Sequence, residues 1–475
     1  MVDIIERDAV DLAEAVRHRE LTAQQVVAAH LQRAESLSAA LGAFARLTPD
    51  SAAQAAVRID AELDAGGQPG VLAGVPCPIK DLAAVAGVPM GAGSAALAGF
   101  VPEADDDVVG WLAEAGTISI GKTATPEFGL PCYTEPEGAA PAVTPWDTTR
   151  MAGGSSGGAA VAVATGMAPI AHASDGGGSI RIPASCCGVV GLKPSRGRVS
   201  VGRLRAPGPG LTTDGVISRS VRDTAIGLDV LCGHGIAEPY PITPPPEPFA
   251  VTARRDPGRL RIGILTTPVI AEADVHPVCL EAATHTADVL ARLGHDVDLA
   301  PVPFPVQRWQ DFMAIWAVGA ATIPLPPQAD TVLRPLTRWL RETGREVSGT
   351  TYAEALAGLQ RLGVEIAEAW DALDAVLTPT LAMPPLPVGA LRNDDDPAAD
   401  FAAQTRFTPW TSVANLSGRP AISLPLRTAQ VEGATVPIGV MFTGRFAEEG
   451  RLLSLATQLE SEVGWDHPFV TAAPL

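Results

Sequence analysis

The sequence is poor in charge, and poorest in positive charge. Only 18% of its 475 residues are charged, and 34 lysines and arginines stand against 53 aspartates and glutamates, for a formal net charge of -19. Nucleic acids and anionic membrane surfaces would repel such a chain, so we expect neither as a partner. The 47% of hydrophobic residues is typical of a globular protein with a large core.

Disulfide and targeting signals are also lacking. The cysteines have neither C-x-x-C spacing nor the density of a secreted disulfide scaffold, so we interpret them as reduced thiols. The N-terminus has no basic-then-apolar signal, and every long apolar stretch is broken by glycine, proline or charge. These absences favour a cytoplasmic enzyme. The cysteines are Cys77, Cys132, Cys186, Cys187, Cys232 and Cys279.

The hydrophobic pattern changes from helical to strand-like along the chain. From residue 8 to about 63, apolar residues recur at helical spacing, and Thr22 is placed to cap a helix that begins at Ala23. Beyond Gly74, short apolar runs between glycines and prolines predict strands of a mixed sheet. They lie at residues 75–79, 117–120, 189–192 and 215–217, with later candidates in "LRIGIL", "HDVDLA", "AISLPL" and "PIGVMF".

The whole pattern predicts one α/β domain over residues 1–475. We divide it into a helical part at about 1–70, a core at 71–235, a proline-rich connection at 236–258 and a C-terminal part at 259–475. The string "EPYPITPPPEPF" makes the connection unsuitable for regular helix or central strand.

The string "GTISIGKT" at residues 116–123 matches a P-loop. A phosphate-binding loop needs a strand before it and a helix after its lysine. Here the helical run "VVGWLAEA" precedes the motif, β-branched residues fill its loop, and Pro126 follows Lys122 closely. We therefore reject a nucleotide site.

The string "GSSGG" at residues 154–158 matches the G-x-S-x-G elbow of α/β-hydrolases, with Ser156 as nucleophile. That elbow follows a strand directly, whereas "TPWDTTRMAG" before it is rich in turns. His467 is a poor match for the required histidine. We reject this interpretation as well, which leaves Ser155, Ser156 and Ser179 without an obvious histidine partner.

Five strings in series resemble the amidase signature family. They are "GVPCPIKDL" at 74–82, "GKTATPEFG" at 121–129, "GGSSGG" at 153–158, "SDGGGSIRIPAS" at 174–185 and "CGVVGLKPSRGRVS" at 187–200. Weaker resemblance continues through "NLSGRPAISLPL" and "PIGVMF". The resemblance implies an α/β amidase signature fold, with a large twisted mixed β-sheet surrounded by α-helices, and neither cofactor nor metal.

The same resemblance implies a catalytic group that needs no histidine. Ser179 is the expected nucleophile, Ser155, after a cis peptide bond, the proton relay, and Lys80 the base. A lysine is a base near neutral pH only when its pKa is lowered, and the apolar string "GVPCPIK" predicts the required burial. Pairing with Asp81 is disfavoured because adjacent strand residues point to opposite faces.

The glycines before Ser179 are suited to stabilising an oxyanion. We expect backbone N–H groups from Gly176, Gly177, Gly178 and Ser179 to converge on the developing negative charge. The family commonly carries a larger residue at the position of Gly176, which predicts a slightly more open or mobile oxyanion hole.

Three more residues are expected to support the site. Asp175 and Arg181 flank the nucleophile and are interpreted as supports of its loop. Ser156 resembles an auxiliary hydroxyl that braces the site, and His172 is interpreted as a satisfied core histidine.

The expected substrate is a small neutral amide, anilide or carbamate, cleaved to release an amine or ammonia. The segment "EFGLPCYTEPEG" at 127–138 is expected to build the pocket. Trp316, Phe407 and Trp410 are candidates for its wall and equally for the core. The strings "YTEPE" and "LGHDV" resemble the hydrolases of nylon-oligomer cyclic dimers and related aryl-acylamide and carbamate hydrolases. One alternative stays open, a catalytic subunit of a tRNA-dependent glutamine amidotransferase, whereas the presence of Lys80, Ser155 and Ser179 argues against a catalytically silent scaffold. A homodimer is compatible with the amide hydrolase.

Overall fold

The computed structural model describes residues 2–206, 208–234 and 238–471, and its N-terminal part is helical as predicted. Thr22 caps the helix Ala23–Leu41. The Thr22 hydroxyl accepts a hydrogen bond from the Gln25 N–H at 3.0 Å, and the Gln25 side chain accepts one from the Thr22 N–H at 2.9 Å. This reciprocal pair is a capping box, so the sequence-based N-cap is confirmed.

The helices of the described residues are α1 (Val2–Glu6), α2 (Ala9–Arg17), α3 (Ala23–Leu41), α4 (Pro49–Asp64), α5 (Asp107–Glu114), α6 (Gly157–Ala164), α7 (Arg181–Cys187), α8 (Val221–Leu231), α9 (Phe249–Thr252), α10 (Pro277–Arg292), α11 (Gln310–Ala321), α12 (Pro335–Glu346), α13 (Gly349–Ala369), α14 (Pro397–Phe407), α15 (Thr411–Ser417), α16 (Glu449–Val463) and α17 (Pro468–Thr471). None of them is long and apolar enough to cross a membrane.

The strands of the same residues are β1 (Phe44–Leu47), β2 (Ile79–Lys80), β3 (Gly121–Thr123), β4 (Ile170–Asp175), β5 (Val190–Lys193), β6 (Thr213–Ser218), β7 (Arg261–Ile264), β8 (Asp296–Leu299), β9 (Ala375–Pro379), β10 (Ala421–Val431) and β11 (Ala434–Gly444).

A large mixed sheet organises the described part of the chain. Its strand order is β4-β6-β5-β10-β11-β9-β7-β8. Strand β7 runs parallel to β8 and β9, and the other pairs are antiparallel. A smaller sheet, β1-β3-β2, lies beside it. The predicted α/β class with a large mixed sheet is confirmed.

Helices cover the large sheet and bury its apolar residues. Helix α6 packs on β4, α8 on β6, α7 and α16 on β10 and β11, and α10 on β9 and β11. Strand residues such as Ile262, Leu377, Ile422 and Val440 are almost fully buried in this core. Removing such side chains from water is the main force that holds the layers together.

Two predicted strands are displaced from their expected positions. Residues 75–79 and 117–120 meet in a single parallel bridge between Pro76 and Ile118, and regular pairing begins at Ile79 and Gly121. Pro76 and Pro78 have no N–H to donate, so the first run cannot form a continuous ladder.

The proline-rich connection, predicted over residues 236–258, has no regular helix or strand over residues 238–248, which are half-buried or exposed, but helix α9 (Phe249–Thr252) lies within the predicted range. Residues 236 and 237 of that prediction lie outside the described residues. The P-loop interpretation stays rejected, because Lys122 lies in the buried strand β3 and not at a helix N-terminus.

Candidate active site

A buried lysine, Lys80, lies where strand β2 of the small sheet contacts the edge strand β4 of the large sheet. Lys80 ends β2, and its side chain is fully buried. Its Nζ lies 2.9 Å from Oγ of Ser155, 3.1 Å from Oγ of Ser174 and 3.3 Å from the Ser174 carbonyl oxygen. These partners are neutral oxygens, so no carboxylate in direct contact stabilises a charged lysine.

Burial lowers the pKa of Lys80 to about 7, although the charges of Asp175 and Asp214 act in the opposite direction. The amine form is therefore well populated at neutral pH. Asp81 does not neutralise Lys80, because its carboxylate pairs with Lys122 at 3.0 Å and accepts the N–H groups of Gly91 and Ala92. The expectation that Asp81 does not pair with Lys80 is met.

A chain of contacts runs from the backbone of Lys80 through a histidine to an aspartate–arginine pair. His172 Nδ1 accepts the backbone N–H of Lys80 at 3.3 Å, and its Nε2 donates to Asp214 at 3.1 Å. Asp214 also pairs with Arg205. Burial would raise the pKa of the Asp214 carboxyl, but Arg205 and His172 hold it well below its usual range. His172 is thus a satisfied core residue that fixes the strand carrying Lys80, as its apolar surroundings suggested.

The two neighbouring serines have different environments. The peptide bond before Ser155 is cis, and Ser155 lies on the wall of a cavity of about 260 Å³. Ser156 is fully buried at the start of α6, with its hydroxyl donated to the Ser174 carbonyl at 3.2 Å. Its N–H donates to the Ser179 carbonyl at 3.2 Å. The Ser156 hydroxyl is thus engaged with a backbone carbonyl and does not line this cavity, which disfavours the G-x-S-x-G interpretation.

Ser179 lies between β4 and α7, where two cavities meet. It lines the 260 Å³ cavity together with Ser155 and Ser174, and a second cavity of about 50 Å³ together with Gly177 and Phe312. The 260 Å³ cavity therefore brings together Ser155 and Ser179, which the sequence analysis singled out, and Ser174 from the same glycine-rich string.

The loop that carries Ser179 is held by a buried ion pair. Arg181 Nη2 and Nε lie 2.9 and 3.0 Å from the two carboxylate oxygens of Asp175. The same carboxylate accepts the N–H of Gly178 at 2.8 Å and that of Ile180 at 3.1 Å. Burial alone would raise the pKa of Asp175, but the charge and hydrogen bonds of Arg181 and those of Asn415 lower it to about 2. Asp175 is therefore ionised at every physiological pH.

Sequence reasoning missed two residues of this support, Thr411 and Asn415, both on α15. Asn415 Nδ2 donates to Asp175 Oδ1 at 2.9 Å and to its carbonyl at 3.1 Å, while its Oδ1 accepts from Arg181 at 2.7 Å. The Thr411 hydroxyl donates to the Gly177 carbonyl at 2.7 Å. The string "NLSGRP" around Asn415 was the available signal, but nothing in it indicates contact with residue 175.

Two side chains from elsewhere in the chain lie close to Gly176. A β-carbon at Gly176 would lie 3.1 Å from Oγ1 of Thr212 and 3.4 Å from two ring carbons of Trp316. Side chains from Thr212 and Trp316 therefore occupy the space next to Gly176. The expectation of a slightly more open or mobile oxyanion hole stays a prediction.

The pocket walls combine the predicted segment with one of the three candidate aromatics. Phe128 and Leu130, from the segment 127–138, line the 260 Å³ cavity. Trp316 lines both cavities and stacks on Phe312, with 5.2 Å between ring centroids. Phe407 and Trp410 are 2% and 1% exposed and belong to the core, so the wall assignment holds for Trp316 alone.

Comparison with known proteins identifies the family of this chain. The family model described as Amidase matches residues 25–453. The chain belongs to the amidase family. It is an amide-hydrolysing enzyme with the amidase signature fold, which confirms the sequence-based assignment.

Individual amidases extend the likeness over nearly the whole chain. The 6-aminohexanoate-cyclic-dimer hydrolase of Paenarthrobacter ureafaciens is 32% identical over 97% of this chain and 95% of that protein. A solved structure of 6-aminohexanoate cyclic dimer hydrolase superposes with a TM-score of 0.89 at 30% identity, covering 100% of this chain and 99% of that one. A bacterial aryl acylamidase shares the fold, with a TM-score of 0.88 at 24% identity over 99% of each chain.

Proposed function

We propose that this amidase hydrolyses small neutral amides and anilides through an acyl-enzyme, with Ser179 as nucleophile, Ser155 as proton relay and Lys80 as general base. The contact that carries the proposal is the 2.9 Å distance between Lys80 Nζ and Ser155 Oγ. Burial lowers the pKa of this amine to about 7, and Ser155 shares a cavity wall with Ser179. A base with a pKa near the working pH is the most effective proton acceptor.

In the acylation half, Ser179 Oγ bonds to the substrate carbonyl carbon. Its proton passes to Ser155, and the Ser155 proton passes to the neutral Lys80. When the carbon–nitrogen bond breaks, the proton returns from Lys80 through Ser155 to the leaving nitrogen, and the free amine departs. In the second half, a water attacks the ester by the same route, which releases the acid and regenerates Ser179.

The negative oxygen of the tetrahedral intermediate needs donors close to Ser179. The N–H of Gly178 is already donated to Asp175 at 2.8 Å. We therefore assign the donors to the N–H groups of Gly176, Gly177 and Ser179. Gly178 is no longer counted as a donor, because its N–H stabilises the turn through Asp175.

The cavity walls support a neutral substrate. None of the described residues that line the two cavities carries a charge. Transferring a carboxylate from water into such a space would cost several kcal/mol without a partner. Esters and carbamates present the same carbonyl to Ser179 and are expected to react by the same steps.

The test is hydrolysis of neutral p-nitroanilides by the wild-type protein and by Ser179→Ala. The variant should lose at least about a thousandfold in kcat, as loss of a nucleophile does in related chemistry. A fluorophosphonate probe should label the peptide that contains Ser179, with Ser156→Ala as the labelled control. Labelling of Ser155 or Ser156 instead would overturn the assignment.

Glutamine separates this proposal from the amidotransferase alternative. We expect the isolated chain to hydrolyse anilides without any partner protein, whereas an amidotransferase subunit would depend on glutamine and its partners.

We also propose a cytoplasmic location, supported by six cysteines that are all unpaired.

A further inference from the structure

A large apolar cavity adjoins the candidate active site and has no part in the chemistry described above. Its volume is about 940 Å³, more than three times that of the 260 Å³ cavity beside Ser179. We call it the annex. Its walls are drawn from residues 82–100, Phe128, Arg205 and residues 323–326.

The annex and the 260 Å³ cavity share three wall residues, Leu82, Phe128 and Ile323. All three are half-buried, so their side chains have neighbours on one side and open space on the other. The space around Ser155 and Ser179 therefore borders the annex directly across these side chains.

The chemistry of the annex is that of an aliphatic chain. Its described wall consists of alanine, leucine, isoleucine, methionine, phenylalanine, proline and glycine, with Arg205 as the charged member. Arg205 is paired with Asp214 and lies near Asp106, so these two carboxylates balance its positive charge. An apolar surface of this kind costs free energy in water until an apolar group covers it.

Phe100 marks the outer wall of the annex. Its side chain is 48% exposed although it is a large aromatic group. The annex is thus accessible from solvent at this end and borders the reacting serines at the other.

We propose that the annex binds an aliphatic arm of the amide substrate, so that the substrates include neutral amides with a long, unbranched apolar chain. This inference rests on the proposed function, because it places the scissile carbonyl at Ser179 and the chain beyond Phe128. The neighbouring 50 Å³ cavity, lined by Phe312 and Trp316, then receives the small group on the other side of the carbonyl.

The experiment uses two series of neutral amides. One series lengthens the acyl chain of p-nitroanilides from two to twelve carbons, and the other lengthens the N-alkyl chain of acetamides over the same range. Each methylene that enters the annex should raise kcat/KM by about two- to fourfold, as expected for partial to full burial of a CH₂ group. The series that shows the increase identifies the side of the amide that carries the arm.

Variants of the annex test its location. Phe100→Asp should flatten the chain-length dependence while leaving the two-carbon substrate unchanged, because a charge there must be desolvated when the chain binds. Phe446→Asp is the matched control, since Phe446 is also 48% exposed and lies outside the annex. Ala98→Trp fills the annex without adding charge and should give the same flattening, and retained activity on the short substrate shows that each variant is folded.

The outcomes separate this inference from the function on which it rests. If short amides are hydrolysed but chain length has no effect in either series, the annex proposal is wrong and the proposed function stands. A chain-length effect that survives both Phe100→Asp and Ala98→Trp would place the arm elsewhere and also overturn the proposal. If no amide of any length is hydrolysed, the proposed function itself fails.

Discussion

Replacing Lys80 with methionine should abolish amide hydrolysis and, at the same time, stabilise the folded protein at neutral pH. Methionine keeps most of the lysine volume and removes the amine. Loss of the base should lower kcat by orders of magnitude. The stability effect follows from the pKa of Lys80, which burial lowers from 10.5 to about 7 in the folded chain.

The size and sign of that effect can be worked out. Between pH 7 and about 10.5 the unfolded chain binds a proton at Lys80 that the folded chain does not, so the free energy of unfolding rises with pH in this window. The slope contributed by one such group is about 1.4 kcal/mol per pH unit. Below pH 7 the burial of Lys80 lowers the free energy of unfolding of the wild-type protein by its full amount, at most about 4 to 5 kcal/mol. The unpaired Ser155 and Ser174 hydroxyls of the variant reduce the gain by about 1 to 3 kcal/mol.

Urea unfolding of wild type and Lys80→Met at pH 7.5, 8.5 and 9.5 measures this slope as the difference between the two proteins. Lys193→Met is the matched control, because Lys193 is also buried with a pKa lowered to about 7 and donates to the Pro194 carbonyl, away from Ser155. It should show the same loss of slope but retain activity and the rise of the rate through about pH 7. A difference between wild type and Lys80→Met that stays constant with pH would mean that Lys80 is charged when folded, and the base mechanism would be refuted.

Two further substitutions test the loop around the nucleophile. Asn415→Ala leaves Asp175 short of a buried donor, so it should cost about 1 to 3 kcal/mol of stability and lower kcat; an unchanged melting temperature would contradict the support role. Gly176→Ile introduces a side chain where Trp316 already packs, so it should lower kcat/KM for anilides. Trp316→Ala in the same chain should restore part of that loss, and additive losses would show that the two positions are independent.

Local patterns of the sequence were enough for much of the site. The cap at Thr22 depends on residues three positions apart, and strand geometry led us to expect different partners for the adjacent residues Lys80 and Asp81. The glycines before Ser179 were recognisable as a turn because the reason for them is local. These features need no knowledge of where the chain goes next.

The remaining features depend on contacts that are distant in sequence. Trp316 fills the space at Gly176 from α11, and Asn415 reaches Asp175 from α15, 240 residues further along the chain. No periodicity or motif spacing links such positions. The displaced strands show a different limit, because the prolines in the run 75–79 leave an apolar pattern intact while removing the hydrogen bonds that make a ladder.

The hydrogen bonds from α15 to the nucleophile loop bear on how the enzyme is synthesised. Lys80, Ser155 and Ser179 all leave the ribosome long before residues 411–417 do, and until then the Asp175–Arg181 pair lacks Asn415 and the Gly177 carbonyl lacks Thr411. During most of translation the loop of Ser179, the proposed nucleophile, therefore has an incomplete set of contacts. The proposed mechanism thus requires that the loop around Ser179 receives its last supporting contacts only after residue 415 has been synthesised.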